Sequence, residues 1–200
     1  MMSQLQMAEN RPIEAVIMGA SAGGVEALLT LLSGLPASFH LPVVVVLHLP
    51  ENQHSRLAEI FQHRSSMAVQ EAQDKQSIAP ATLYFAPPGY HLSIEMDRSF
   101  SLSCEERVHF SRPSIDVLME SAADAYGAHL AGILLTGASS DGAAGLAKIG
   151  HLGGLTVVQD PAEAQIATMP EAAIRQRQPD LILKLTSIRS LLLELEKNLC

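Results

Sequence analysis

Short runs that are apolar at nearly every position constrain this chain more than any other feature. Ala15 to Met18, Val43 to Leu47 (VVVVL), Leu130 to Leu135 (LAGILL) and Leu155 to Val158 (LTVV) leave almost no polar face. A strand with one face in water alternates apolar and polar residues, whereas a strand buried on both faces reads as a continuous run. Such strands belong to a parallel sheet covered by helices on both sides. The segments between them carry helical spacing. Leu57, Ile60 and Phe61 share one face, as do Ile115, Leu118, Met119, Ala122 and Tyr126, while Ile188, Leu191, Leu192, Leu195 and Leu199 form a stripe. Pro113 suits the first turn of the second of these helices, and Leu181 to Leu185 offers a further strand. The expectation is α/β: a doubly wound, mostly parallel sheet flanked by helices.

One interval departs from the alternation. Leu83 to Ala86, Pro87-Pro88-Gly89, then His91 to Met96 and Phe100 to Cys104 around Asp97-Arg98 read as a strand plus a β-hairpin, taken as an insertion flanking the sheet. No repeat or linker divides the rest, so residues 13–200 are expected to form one domain behind a loose tail at 1–12. With 48% hydrophobic and 17% charged positions the chain can bury a substantial core and is too apolar for disorder. Its formal charge of −8, with no Lys/Arg cluster, argues against binding nucleic acid through phosphates. Cys104 and Cys200 cannot form a disulfide framework and are expected as free thiols. No run approaches a membrane span, and the N-terminus lacks the basic and apolar regions of a signal peptide. The default expectation is a cytoplasmic protein with no membrane insertion.

Open α/β sheets place their sites at the carboxyl ends of the strands. Three expected strand ends carry polar groups: Gly19-Ala20-Ser21-Ala22-Gly23-Gly24, then His48, then Thr136-Gly137-Ala138-Ser139-Ser140-Asp141-Gly142. A hydroxyl, an imidazole and a carboxylate on one sheet edge are the parts of a nucleophile, base and orienter: Ser21 activated by His48, with Asp141 fixing the imidazole tautomer. Each part alone has a plainer reading. Gly19-x-Ser21-x-Gly23 matches the nucleophile-elbow pattern, yet such a turn also packs helix on strand or binds phosphate. His48 could be a core histidine, and Asp141 before Gly142 a helix N-cap. Their coincidence favours acyl chemistry. A dinucleotide site fails because Ser21 stands at the second glycine position, and a Walker loop fails for want of its lysine. The order Ser21, His48, Asp141 also differs from that of α/β-hydrolases. The histidines are scattered, and Cys104 with His109 has no completing pair, so neither a metal nor a cofactor is expected.

The stretches VIMGASAGGVEAL (16–28), VVLHLP (45–50), EAQD (71–74), YFAPPGYHL (84–92), SRPSIDVLM (111–119), GILLTGASSDGAAGL (132–146) and TMPEAAI (168–174) together resemble the catalytic domains of chemotaxis protein-glutamate methylesterases. The resemblance covers roughly 13–197 and implies that Ser21 is the nucleophile, His48 the base and Asp141 the orienter. It further implies hydrolysis of glutamate γ-methyl esters on the cytoplasmic helices of chemoreceptors, with deamidation of receptor glutamines open to the same chemistry. Oxyanion donors are expected from the backbone at Ala22 and Ala138, where family members often carry Thr and Met. His109, Arg112 and Ser114 are further pocket candidates, against the plainer reading that Ser111 to Pro113 only starts a helix. Well-known members carry an N-terminal phosphoacceptor receiver domain, for which residues 1–12 leave no room. The expectation is a stand-alone member or an excised fragment, with a separate receiver or other chemosensory component as partner. The rival class is a non-catalytic module of the same fold that binds receptors or a nucleotide.

Overall fold

The computed structural model describes residues 11–48 and 56–197. Its centre is a seven-stranded sheet, every pairing parallel, in the order β3-β4-β2-β1-β7-β8-β9. The strands are β1 (Ala15–Ala20), β2 (Val43–Leu47), β3 (Ala68–Glu71), β4 (Thr82–Phe85), β7 (Leu130–Leu134), β8 (Leu155–Gln159) and β9 (Leu181–Leu183). A separate antiparallel hairpin pairs β5 (His91–Ile94) with β6 (Phe100–Ser103). Helices α1 (Gly24–Leu32), α2 (Leu57–Gln62), α3 (Ile115–Tyr126), α4 (Ala143–His151), α5 (Thr168–Gln176) and α6 (Leu185–Lys197) complete the described elements.

The apolar runs are buried on both sides, as a two-faced sheet requires. Val16, Met18 and Ala20 of β1 with Val43, Val45 and Leu47 of β2 meet α1, α2 and α6; Ala15, Ile17, Val44 and Val46 face α3, α4, α5 and the hairpin. The period of two along each strand therefore splits one sheet between two cores. The hairpin belongs to the second core through Leu92, Ile94 and Phe100, and the Phe100 ring meets Tyr84 edge-on at 4.9 Å.

Several expectations need correction. Leu83 to Ala86 is no part of the insertion, because β4 lies inside the main sheet between β3 and β2. Strand β3 was not expected at all: it is a sheet edge, largely half-buried, and its sequence AVQE carries no apolar run. Ile60 is 43% exposed while Leu57 and Phe61 are buried, so the buried stripe of α2 is narrower than its spacing suggests. Pro113 precedes the helix rather than starting it, since Ser114 is the N-cap of α3. Of the expected tail, residues 1–10 lie outside the described residues, but Arg11 donates to the Gly153 carbonyl at 3.3 Å and the Pro12 carbonyl accepts from the His129 ring at 2.8 Å. Leu199 and Cys200 also lie outside the described residues; Cys104 is a free, exposed thiol. None of the helices among the described residues is long and apolar enough to cross a membrane.

Strand β1 sits where the sheet reverses direction. The chain leaves it toward β2 and β4, then returns on its other side through β7, β8 and β9. The carboxyl ends of β2, β1 and β7 are therefore neighbours, and they deliver His48, Ser21 and the loop 135–142 to one crevice.

Candidate active site

Ser21 follows β1 in a turn closed by the Gly24 N–H on the Ser21 carbonyl at 2.8 Å. Gly23 takes φ 80° and ψ −3°, the third position of a type II turn, which demands glycine. Ser21 itself has no positive φ, so the strained nucleophile elbow suggested by Gly-x-Ser-x-Gly is replaced by an ordinary turn whose left-handed residue is Gly23. The Ser21 N–H donates to the Thr136 carbonyl at 3.0 Å, and the Thr136 hydroxyl donates to the Ala22 carbonyl at 2.9 Å. These bonds tie the loop after β1 to the loop after β7.

His48 is held by its own N–H on the Ala20 carbonyl at 3.1 Å and by its ring. Nε2 lies 2.8 Å from Asp141 Oδ2, with the histidine side chain 13% exposed and the aspartate fully buried. An ionised carboxylate can only accept, so Nε2 carries the proton and Nδ1 is the nitrogen with a free lone pair. Ser21 and His48 line a cleft of about 220 Å³ with Gly23, Gly24, Glu26 and Gln165 among its walls.

Asp141 is not the N-cap of the helix that follows it; Gly142 takes that position. Its carboxylate reaches instead to the start of α3. The Ser114 hydroxyl and the Asp116 N–H donate to Oδ1 at 2.8 and 2.9 Å, and the Ile115 N–H donates to Oδ2 at 2.8 Å, beside His48. Burial by itself would raise the Asp141 carboxyl, but the hydrogen bond from His48, with those from the Asp116 and Ile115 N–H groups and the Ser114 hydroxyl, outweighs it and holds the group below the usual carboxylate range. The positive end of the α3 dipole acts in the same direction.

Asp116 makes the reciprocal contact. Its Oδ1 accepts from the Gly145 N–H of α4 at 2.7 Å, and its Oδ2 faces His109 Nε2 at 3.2 Å. Burial raises the Asp116 carboxyl above its ordinary value, and the adjacent Asp141 charge adds to the rise, against the Gly145 N–H and His109.

His109 and Arg112 do not enter the cleft lined by Ser21. His109 stands behind Asp116, in a turn where both it and Phe110 have positive φ (50° and 63°). Arg112 Nη1 donates to the carbonyls of Cys104 and Glu105 at 2.8 and 2.9 Å, which staples the end of the hairpin to the start of α3. Ser114 contacts the carboxylate rather than the pocket. Ala22 and Ala138 are exposed, and no described residue accepts from either N–H. Gly137, one residue before Ala138, passes so close that an added Cβ would lie 2.9 Å from Ser21 Cβ. Gln165 was missed from sequence, and Thr136 was read only as part of the loop after its strand. A threonine and a glutamine in loops carry no signal of their own, and only the packing of loops far apart in the chain brings them beside Ser21. His109, Asp116 and Asp141 offer ligand atoms within 4.8 Å of one another, the arrangement here closest to a metal site. The Asp141 oxygens and Asp116 Oδ1 already accept from N–H and O–H donors whose positive ends a cation would meet, so the set fits a hydrogen-bond cluster better than a metal.

The arrangement is thus a hydroxyl and an imidazole on one cleft, an anion holding the imidazole, and backbone N–H groups at Ala22 and Ala138 with no acceptor among the described residues. The family model described as CheB methylesterase matches residues 16–192. A Leptospira interrogans protein, named as a candidate protein-glutamate methylesterase/protein-glutamine glutaminase, is 46% identical over 185 residues, which cover 92% of this chain and 96% of that one. A Methanospirillum hungatei protein-glutamate methylesterase/protein-glutamine glutaminase is 36% identical over 170 residues, 85% of this chain but 49% of its own length. The chain thus spans nearly all of the first relative and about half of the second. The crystal structure of the Thermotoga maritima CheB methylesterase catalytic domain superposes with a TM-score of 0.87 at 30% identity, covering 92% of this chain and 98% of that one. On fold and sequence together, the chain belongs to the CheB methylesterase family.

Proposed function

We propose that this protein hydrolyses γ-methyl esters of glutamyl side chains on chemoreceptors, with Ser21 as nucleophile, His48 as base and Asp141 as orienter. The observation that carries the reading is the contact of His48 with the buried Asp141 at 2.8 Å, on the cleft that Ser21 lines. Because Nε2 is committed to Asp141, the base is Nδ1. Ser21 Oγ attacks the ester carbonyl carbon as its proton passes to Nδ1. The tetrahedral oxyanion takes hydrogen bonds from the Ala22 and Ala138 N–H groups, which hold no other acceptor among the described residues. Collapse breaks the bond to methoxide, which leaves as methanol with the proton from Nδ1. Water, deprotonated by the same nitrogen, then releases the carboxylate and restores Ser21. A glutaminyl amide would follow the same course with ammonia as leaving group, the second activity named for the relatives. On this reading the enzyme works in the cytoplasm, on the cytoplasmic helices of the receptor.

The test is methanol release from methylated chemoreceptor membranes by wild type, Ser21→Ala and His48→Gln. Only wild type should release it at a measurable rate, and it alone should carry a fluorophosphonate label on Ser21. A labelled serine without methanol release would mean the right chemistry on another ester. An unlabelled wild type would put a non-catalytic, receptor-binding role first.

A further inference from the structure

Behind Asp141 lies a chain of buried polar contacts that the reaction scheme leaves unused. Ser114 is fully buried, and its hydroxyl donates to Asp141 Oδ1 at 2.8 Å. That hydroxyl also lies 3.5 Å from the Val117 N–H, as the cap of α3. The Ser114 N–H in turn donates to His91 Nδ1 at 3.2 Å, while His91 Nε2 lies 3.0 Å from the Glu106 carbonyl. Both His91 contacts are satisfied at once only by a neutral ring with its proton on Nε2. His91 is 1% exposed, so water cannot replace either contact cheaply.

We infer that Ser114 is a positioning residue of the triad and that His91 sets it. The hydroxyl engages Oδ1, the carboxylate oxygen that His48 does not touch, and so helps to fix the rotation of the Asp141 carboxylate with Oδ2 toward the imidazole. His91, on the hairpin, pins the backbone of Ser114 and with it the first N–H groups of α3. The hairpin therefore reaches the catalytic centre through two hydrogen bonds without entering the cleft. The titratable groups around Asp141 are His48 from the end of β2, Asp116 from α3, His109 from the loop before it, and His91 through Ser114; Glu120 bears on Asp116.

This inference rests on the serine-hydrolase reading, and the experiment separates the two. Turnover of p-nitrophenyl acetate and fluorophosphonate labelling are measured for wild type, Ser114→Ala, Ser114→Thr, His91→Asn and His91→Leu across pH. Loss of one hydrogen bond to a charged group should lower kcat of Ser114→Ala about 10- to 100-fold with KM little changed. With one donor gone, the Asp141 carboxyl is held less far below its ordinary range, so the acid limb of the rate profile should move to higher pH. A merely structural cap would lower the amount of active enzyme without moving that limb. Threonine should restore most of the rate. His91→Asn, which keeps an acceptor toward Ser114, should stay near wild type, and His91→Leu should lose kcat as Ser114→Ala does. If Ser114→Ala does not fold, the threonine variant and the His91 pair decide by the same criteria. Labelled Ser114→Ala enzyme with the wild-type kcat and acid limb would overturn the inference, as would identical behaviour of the two His91 variants. A wild type that takes no label would overturn the reading beneath it as well.

Discussion

A carboxylate that accepts four hydrogen bonds has no oxygen that a donor could replace, and Asp141 is in that position. Asn at 141 keeps the shape but turns one oxygen into an NH₂ group. Whichever way the amide is placed, that group meets either His48 and the Ile115 N–H or Ser114 and the Asp116 N–H. The first arrangement drives His48 to the wrong tautomer. We expect Asp141→Asn to lower kcat by a factor on the order of 10⁴, the loss that the same change causes in the triad of a serine protease. Urea unfolding should show a loss of about 1–3 kcal/mol for the donors left unsatisfied. A variant within tenfold of wild-type turnover would show that His48 works without the anion. Ser21, His48 and Asp141 were legible in the sequence because each is a polar residue just past an apolar strand or in the loop that follows one. Ser114 was legible only as a neighbour of the site. Its bond to Asp141 joins residues 27 positions apart, a pairing that no local pattern carries.

Helices α3 and α4 exchange carboxylates at their N-termini: Asp141, just before α4, serves α3, and Asp116 of α3 serves Gly145 of α4. The exchange needs the helices close together, and Gly145 provides the approach. A Cβ there would lie 2.5 Å from Met119 Cβ and 3.1 Å from the Asp116 carbonyl, atoms that cannot swing aside. Gly145→Ala should therefore push the helices apart, with an overpacking cost of about 1–3 kcal/mol. Activity should fall with stability, because the same shift loosens the donors on Asp141. Denaturant midpoints with an unchanged slope would report the first effect, and turnover per labelled serine the second. An alanine variant with the wild-type midpoint would mean that the crossing has slack. At this scale, elements with a strong period were legible. The four apolar runs became β1, β2, β7 and β8, Leu181 to Leu183 became β9, and the stripes of α3 and, as far as Leu195, of α6 are buried as their spacing predicts. Edge strand β3 escaped because half its surroundings are water, and β4 was assigned to the insertion because nothing in four residues says which sheet they join.

For the whole molecule, the two neighbouring carboxyls shift in opposite directions and so shape stability against pH in opposite ways. Asp141 is held below its ordinary value, so its contribution is complete above the ordinary carboxylate range and is lost as pH falls through its lowered pKa. Asp116 is raised, so the folded protein binds that proton more tightly than the unfolded chain does. Between its ordinary and its raised value, Asp116 makes stability fall as pH rises, and at neutral pH its charge is a standing cost beside Asp141. Asn at 116 keeps an acceptor for the Gly145 N–H and removes that charge. The contact with His109 is also lost, but His109 is 46% exposed and such a pair contributes little. Asp116→Asn should therefore have a higher Tm than wild type at neutral pH, and the gap should close in acid, where the wild-type Asp116 is itself protonated. Asp141→Asn should do the reverse: its deficit is largest at neutral pH and shrinks as acid removes the advantage of the wild-type anion. Thermal unfolding of the three proteins across pH tests both. Parallel Tm curves would show that neither carboxyl changes its proton affinity on folding. A neutral-pH loss in Asp116→Asn would show that the charge on Asp116 holds α3 against α4, and that the two aspartates stabilise this corner of the molecule together.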